Sequence, residues 1–428
     1  MVSNKESEGK GQKHAQPTAQ PALVPSSLAA VRADPDDETP FPPELTSAYA
    51  SNKKELDAWA RENYGPDYYE TLQEMDRNYA PIIRDIEYPT GMHGQIFNDT
   101  PIMECLVRDL PATPMPAETP FAIVAIAGKG EGMIALREIA LGEAIVVEYP
   151  IVSTPSLMLL DLETRATLHR AMFDRVGATE RAELYNLANS KPAEMCTREE
   201  GIVRTNGIGI DLHVPPGMPK ARNRASGVFL KTSKCNHSCA PNAVWKWDLR
   251  TFTLTLSAVK PIRAGEEITV AYIGTLTKSR AERRAELQKS YQFHCECPAC
   301  NLPTDRDVAA SDSRRLALEN WHEKRPDFGV RLRMGLGERK HILVDYKVAI
   351  AMHEKEGLQR EGGFAGLLEI VALMYALAAD VQNFYFWMQR ALMHYYAKRE
   401  YAKVASCLRA LKDPKALEGW GVDLTLAF

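Results

Sequence analysis

The chain has 428 residues, long enough for two or three domains, with the apolar (45%) and charged (25%) fractions of a globular protein. A formal net charge of −4 gives no global case for binding nucleic acid or acidic membranes, both of which call for a basic surface. No apolar run approaches the ~18 residues of a membrane span, and the N-terminus lacks the apolar core of a secretory signal.

In chain order, residues 1–45 are rich in Ser, Lys, Gln, Ala and Pro and almost devoid of aromatics, which predicts a disordered tail. Residues 46–120 read as a helical or irregular N-terminal extension. Its first part, 46–80, has helical character broken at Gly65-Pro66, and PATPMPAETP (111–120) marks a boundary with four prolines. A β-rich pattern follows. FAIVAIA (121–127) has the continuous apolar run of a buried strand, and AIVVEYPIV (144–152) is another. Residues 156–190 turn helical, with Leu159, Leu162, Ala166, His169 and Phe173 spaced along one face. VWKW (244–247) and TFTLTLSAV (251–259) flank a hairpin turn, and TFTLTL alternates as a strand with one wet face does. ITVAYI (268–273) is a further strand. Ser279-Arg-Ala-Glu282 is a capping box opening a charged helix to about 290, whose Lys278–Lys289 run reads as a solvated face. From 311 to 428 the pattern is helical throughout, and IVALMYALAA (370–379) reads as a buried helix.

Three of the eight cysteines fall in CECPAC, at 295, 297 and 300, and two in CNHSCAPN, at 235 and 239. Without a secretion signal, clustered cysteines point to metal ligation rather than disulfides. The Cys-x-Cys-x-x-Cys spacing lets three thiolates converge on one ion, and a structural zinc site needs a fourth ligand. His294, Cys235 and Cys239 are the candidates.

CNHSCAPN matches the Asn-His-Ser-Cys-x-Pro-Asn signature of SET-domain protein lysine methyltransferases. AGKGEGMIALREIALGEAIVVEYP (127–150), RTNGIGID (204–211), PIRAGEEITVAYI (261–273) and CECPAC resemble four further motifs of that family, in its order. The helical insert, the charged helix before the cysteines and the helical tail look most like the SET-and-MYND subfamily. The MYND finger needs a set of cysteines and a histidine near residues 150–200; only Cys196 falls there, so that finger is expected to be missing. The resemblance implies an α+β fold: a SET domain at 121–275 with a helical insert at about 156–200, a post-SET zinc segment at 276–302, and an α-helical C-terminal domain at 311–428.

It also implies an S-adenosylmethionine-dependent transfer of methyl groups to lysines of a histone or non-histone protein, in the nucleus or the cytoplasm. Tyr272 is the implied catalytic residue. Gly128, Lys129, Gly130, Asn206, Asn236, His237, Tyr272 and Phe293 are implied cofactor contacts, and Cys239 is the implied fourth zinc ligand beside Cys295, Cys297 and Cys300. Tyr291 and Phe293 are expected to wall the lysine channel or cofactor pocket, or else to pack around the zinc segment. Cys235 is expected to be a small buried residue, Asn242 a structural hydrogen-bonder, and Trp245 and Trp247 core. The glycines of Gly128-Lys129-Gly130-Glu131-Gly132 fit neither nucleotide-binding signature. Two rival readings remain at this point: a SET scaffold that has lost turnover, and a zinc hydrolase, against which a closed all-cysteine site speaks.

Overall fold

The computed structural model describes residues 81–422 except 107–108, 157, 159, 161, 217–222, 275, 325–335 and 362. The expected disordered tail and the helical stretch 46–80 lie outside the described residues. Residues 81–99 are neither helical nor irregular. They form an antiparallel hairpin, β1 (Pro81–Glu87) and β2 (His93–Asp99), turning at Gly91, whose φ is 77°. A lone hairpin is marginal in water; this one extends a larger sheet and is pinned by Tyr88, whose hydroxyl donates to the Pro150 carbonyl at 2.8 Å. A short helix, α1 (Thr100–Glu104), follows.

Strands β3 (Phe121–Ile126) and β4 (Gly130–Ala135) form the next hairpin. β3 is an edge strand rather than a buried one, and Val124 is 39% exposed. The apolar run at 144–152 is two strands, β5 (Ala144–Glu148) and β6 (Val152–Pro155), in different sheets. Pro150 lies between them, and its missing N–H stops a continuous ladder. The insert packs α2 (Leu162–Arg175), α3 (Ala178–Tyr185) and α4 (Arg198–Asn206) through Phe173, Leu184 and Ile202 against Phe97 and Val228. The chain returns through β7 (Ile208–Asp211), β8 (Arg224–Val228), the short β9 (Asn236–His237), β10 (Ala243–Asp248), β11 (Thr253–Ala258) and β12 (Glu267–Val270).

Among the described residues the strands form three sheets, ordered β1-β2-β6-β8-β7, β10-β11-β5 and β3-β4-β12-β9. β11 has no wet face. It is the central strand of its sheet, and Ser257 on its polar side accepts a hydrogen bond from Arg399 at 3.0 Å, so the helical region covers it.

The helices after the sheets are α5 (Arg280–Tyr291), α6 (Asp305–Lys324), α7 (Leu336–Glu356), α8 (Phe364–Leu377), α9 (Val381–Ala397) and α10 (Tyr401–Lys412). The capping box forms at α5, with Ser279 and Glu282 bonding reciprocally. One buried cluster runs from Leu368, Val371 and Phe384 through Leu287 to Cys239, Cys295, Cys297 and Cys300. The helical region and the cysteine segment therefore share a core. Arg315 of α6 is buried at their junction. It pairs with Glu356 at 3.0 Å and donates to the carbonyls of Cys239 and Leu276.

His394 of α9 packs edge-on against Phe364, and its Nδ1 is buried without a partner. Burial, then the charges of Lys398 and Arg390, push its pKa down to about 3. A histidine depressed in the fold and near 6.5 when unfolded stabilises fully above the unfolded value. It loses that contribution as pH falls toward the folded one. Wild-type protein taken from pH 7 to pH 5 is expected to lose on the order of 2 kcal/mol through this group. His394→Leu is expected to flatten the fall in melting temperature over that interval; an unchanged pH slope refutes the assignment.

Candidate active site and metal centre

Cys239, Cys295, Cys297 and Cys300 are all buried, and their sulfurs lie within 4.8 Å of one another. The Sγ atoms of Cys239 and Cys300 are 3.6 Å apart; a tetrahedral zinc with Zn–S near 2.3 Å sets sulfurs about 3.8 Å apart. Among the described residues this is the one cluster of such donors. The surroundings suit thiolates. The Cys239 amide donates to Cys297 Sγ at 3.3 Å, and Arg283 Nη2 reaches Cys300 Sγ at 3.7 Å. Hydrogen bonds from Cys239, Cys295 and Cys300 hold the Cys297 thiol well below the ordinary thiol range. His294 is exposed, and Cys235 lies apart with its sulfur 3.7 Å from Met133 Sδ.

The basic run at 278–289 is not simply a solvated face. Arg283 is fully buried, and Arg284 donates to the carbonyls of Cys295 and Cys300 at 3.0 and 3.3 Å. Interleaved glutamates conceal this in the sequence, because helical spacing does not say which turn faces the cysteines.

His237 joins the cysteine cluster to the neighbouring site. Its Nδ1 accepts the Tyr272 amide at 3.0 Å, so the neutral ring carries its proton on Nε2, which stands 3.3 Å from Cys239 Sγ. Burial, chiefly, pushes its pKa down to about 4 and keeps the ring neutral. Both ring nitrogens are committed, so the ring couples Cys239 to the backbone of Tyr272. The short β9 that carries Asn236 and His237 pairs in parallel with β12, Asn236 opposite Thr269 and His237 opposite Val270. Asn242, the last residue of the motif, accepts the Thr269 amide at 2.8 Å and donates to Glu267 O at 2.8 Å, a structural role as expected.

Tyr272 stands just past the end of β12. Its hydroxyl donates to the Cys235 carbonyl at 2.7 Å, and its ring is 4.9 Å from Tyr291 and 6.4 Å from Phe293. Burial raises its pKa far above the ordinary phenol value, so it stays protonated. Tyr272, Tyr291, Trp245, Cys235, Val270, Asn206 and the β7 residues Ile208 and Gly209 line a cavity of about 90 Å³. Trp245 is thus a cavity wall, whereas Trp247 packs in the core 4.8 Å from Phe252. Asn206 ends α4, with both amide hydrogens given to the carbonyls of Ala188 and Ile202. Asn206 is also one of the residues that line the cavity.

Gly128 and Gly130 take φ of 74° and 76° in the β3–β4 turn, with open space where side chains would stand. Lys129 between them bonds Glu267 at 2.6 Å, and Asn236 donates to the other oxygen of Glu267 at 2.9 Å. Glu267 therefore clamps the glycine turn to the Asn-His strand. Gly132 permits this closeness, since a Cβ there would come within 2.7 Å of Asn236 Nδ2. Glu148, at the end of β5, is half-buried and accepts the amides of Lys231 and Thr232 at 3.0 and 2.6 Å and the Thr232 hydroxyl. It fixes the tight turn Thr232–Lys234 that delivers Cys235. Neither glutamate stood out as a site residue in the sequence, although Glu267 lies within its Gly-Glu-Glu-x-Thr segment.

Residues 130–273, which hold these features, match the model of the SET domain. The chain's relatives lie among the SET methyltransferases and the SET-and-MYND proteins. The chain is 32% identical over 198 residues to histone-lysine N-methyltransferase set5 of Schizosaccharomyces pombe, a match covering 46% of this chain and 56% of the relative. It is 41% identical over 101 residues to a SET and MYND domain-containing protein of Dictyostelium discoideum, covering 23% and 29%. It is 38% identical over 94 residues to protein-lysine N-trimethyltransferase SMYD5 of Gallus gallus, covering 22% of each chain. The chain thus matches at most about half the length of these relatives. Among the described residues, no helix is long and apolar enough to cross a membrane.

Proposed function

We propose that this chain is an S-adenosylmethionine-dependent protein-lysine N-methyltransferase, acting on a histone or another protein in the nucleus or cytoplasm, with a structural zinc in the four-cysteine cluster. The observation that carries the reading is Tyr272: a protonated hydroxyl fixed on the Cys235 carbonyl inside an aromatic-walled cavity, next to the Asn236–His237 strand.

The residues present suit both groups. Four buried thiols with donors aimed at their sulfurs suit a closed zinc site. The open glycine turn with Lys129 suits the carboxylate end of the cofactor, and the Asn206 oxygen its ammonium. Contact from His237 would come through its main chain or ring face, because both ring nitrogens are engaged. Bound S-adenosylmethionine supplies an electrophilic sulfonium methyl.

The chain's own residues prepare the amine. A free lysine has a pKa near 10.4. Entry into a cavity walled by Tyr272, Tyr291 and Trp245 disfavours the ammonium by desolvation, so the amine enters neutral. Because the Tyr272 hydrogen points at Cys235 O, its oxygen lone pairs are free to accept an amine N–H. That contact turns the nitrogen lone pair and restricts the amine to one approach, a positioning effect worth several kcal/mol.

Calorimetric titration of S-adenosylmethionine into protein of counted zinc content tests the reading, followed by transfer of labelled methyl to lysine. One site per chain with transfer supports it. Folded, zinc-loaded protein that binds no cofactor sinks it, and binding without transfer to any protein selects the scaffold reading.

A further inference from the structure

Two walls of the cavity come from distant parts of the chain. Thr205 and Asn206, at the end of α4, line one part, and Tyr291, the last residue of α5, lines another. The loop between α3 and α4 is bonded to the first wall. The Ala188 carbonyl accepts from Asn206 Nδ2 at 2.7 Å, the Ser190 amide donates to Thr205 Oγ1 at 3.0 Å, and the Ser190 and Thr205 hydroxyls stand 3.2 Å apart. The Lys191 amide donates to Asn189 Oδ1 at 2.9 Å, which sets the backbone from which the lysine side chain leaves.

Lys191 crosses from this loop to the other wall. Its ammonium donates to the Ser290 carbonyl, 99 positions along the chain, and stands 5.6 Å from the centroid of the Tyr291 ring. The electron-rich face of a tyrosine attracts a cation, more strongly as water is excluded, and this side chain is half-buried. Tyr291 passes the restraint on. Its hydroxyl donates to the Tyr272 carbonyl at 3.3 Å, and its ring lies 4.9 Å from the Tyr272 ring. A neutral side chain of similar length, such as methionine, keeps the packing and loses both the carbonyl bond and the attraction to the ring.

Resting on the methyltransferase reading, we propose that Lys191 is a positioning residue that ties the α4 wall of the cavity to the Tyr291 wall and so fixes how large an amine the cavity admits. Lys191 is not among the residues that line the cavity; it acts through Tyr291. Each methyl group added to an amine widens it. A pocket whose walls cannot part discriminates against one surplus carbon by roughly tenfold or more. With the Tyr291 wall released, that discrimination falls.

The test uses the full, zinc-loaded chain with S-adenosylmethionine and an array of single-lysine peptides, each lysine supplied unmethylated or dimethylated, and reads kcat/KM on both forms by mass spectrometry. Lys191→Met is expected to raise the ratio of dimethylated to unmethylated turnover roughly tenfold over wild type, with zinc content unchanged and cofactor affinity within about threefold. Lys191→Arg, which keeps a cation and N–H donors, is expected to hold the ratio within about threefold of wild type. In a Tyr291→Leu chain, Lys191→Met is expected to change the ratio no further, because the residue it acts through is gone. A Lys191→Met protein with the wild-type ratio, whatever its melting temperature, overturns the positioning role alone. So does a change of ratio that persists in the Tyr291→Leu chain. Wild type that binds cofactor but methylates no peptide or protein overturns the methyltransferase reading and the positioning role together.

Discussion

Replacing Tyr272 by phenylalanine is expected to lower methyl transfer about a hundredfold while leaving S-adenosylmethionine affinity within about threefold. The ring is held by contacts that phenylalanine keeps, with Tyr291, Phe293 and His237 all within 6.4 Å. What disappears is the bond from the hydroxyl to Cys235 O and the oxygen proposed to receive the amine. The loss therefore falls on the amine's alignment rather than on the cofactor. Turnover and cofactor affinity, measured separately, check it. A large loss of affinity with intact single-turnover rate would move the hydroxyl's task to cofactor binding.

The second large effect is at the cysteine cluster. Cys297→Ser is expected to drop zinc content from about one ion per chain to near none under dialysis, and to lower the melting temperature by about 10 °C or more. Cys297 is buried, and its sulfur accepts the Cys239 amide, so its loss opens both halves of the cluster. Disorder should spread to Tyr291 and Phe293, which precede the cysteines and flank Tyr272. A chelator should reproduce these effects on wild type. Unchanged metal content in the variant refutes the ligand assignment.

The cysteine cluster was legible from spacing alone for three members, because Cys-x-Cys-x-x-Cys keeps its thiols within reach whatever surrounds it. The fourth, Cys239, sits 56 positions or more away; only family resemblance named it, and the fold brings it in. Tyr272, likewise, was an ordinary strand-end tyrosine until its segment was compared with the SET motifs. The β1–β2 hairpin was misread as helical or irregular because its stability comes from pairing with β6, a partner that local pattern does not contain. β11 read as half wet because alternation reports one strand's faces, and the helices that cover it are more than a hundred residues distant.

What the sequence determined by itself were the local facts: strand and helix segments, the α5 capping box, three clustered thiols and a set of ordered motifs. Each of these depends on residues within a few positions of one another. Tertiary structure alone decided the tautomer of His237, the clamp of Glu267, the turn fixed by Glu148, the burial of Arg283 and Arg315, and the standing of Trp245 as a cavity wall. A charge or an indole looks the same in sequence whether solvated or enclosed. Its desolvation and its hydrogen-bond partners, which set its chemistry, come from segments far along the chain.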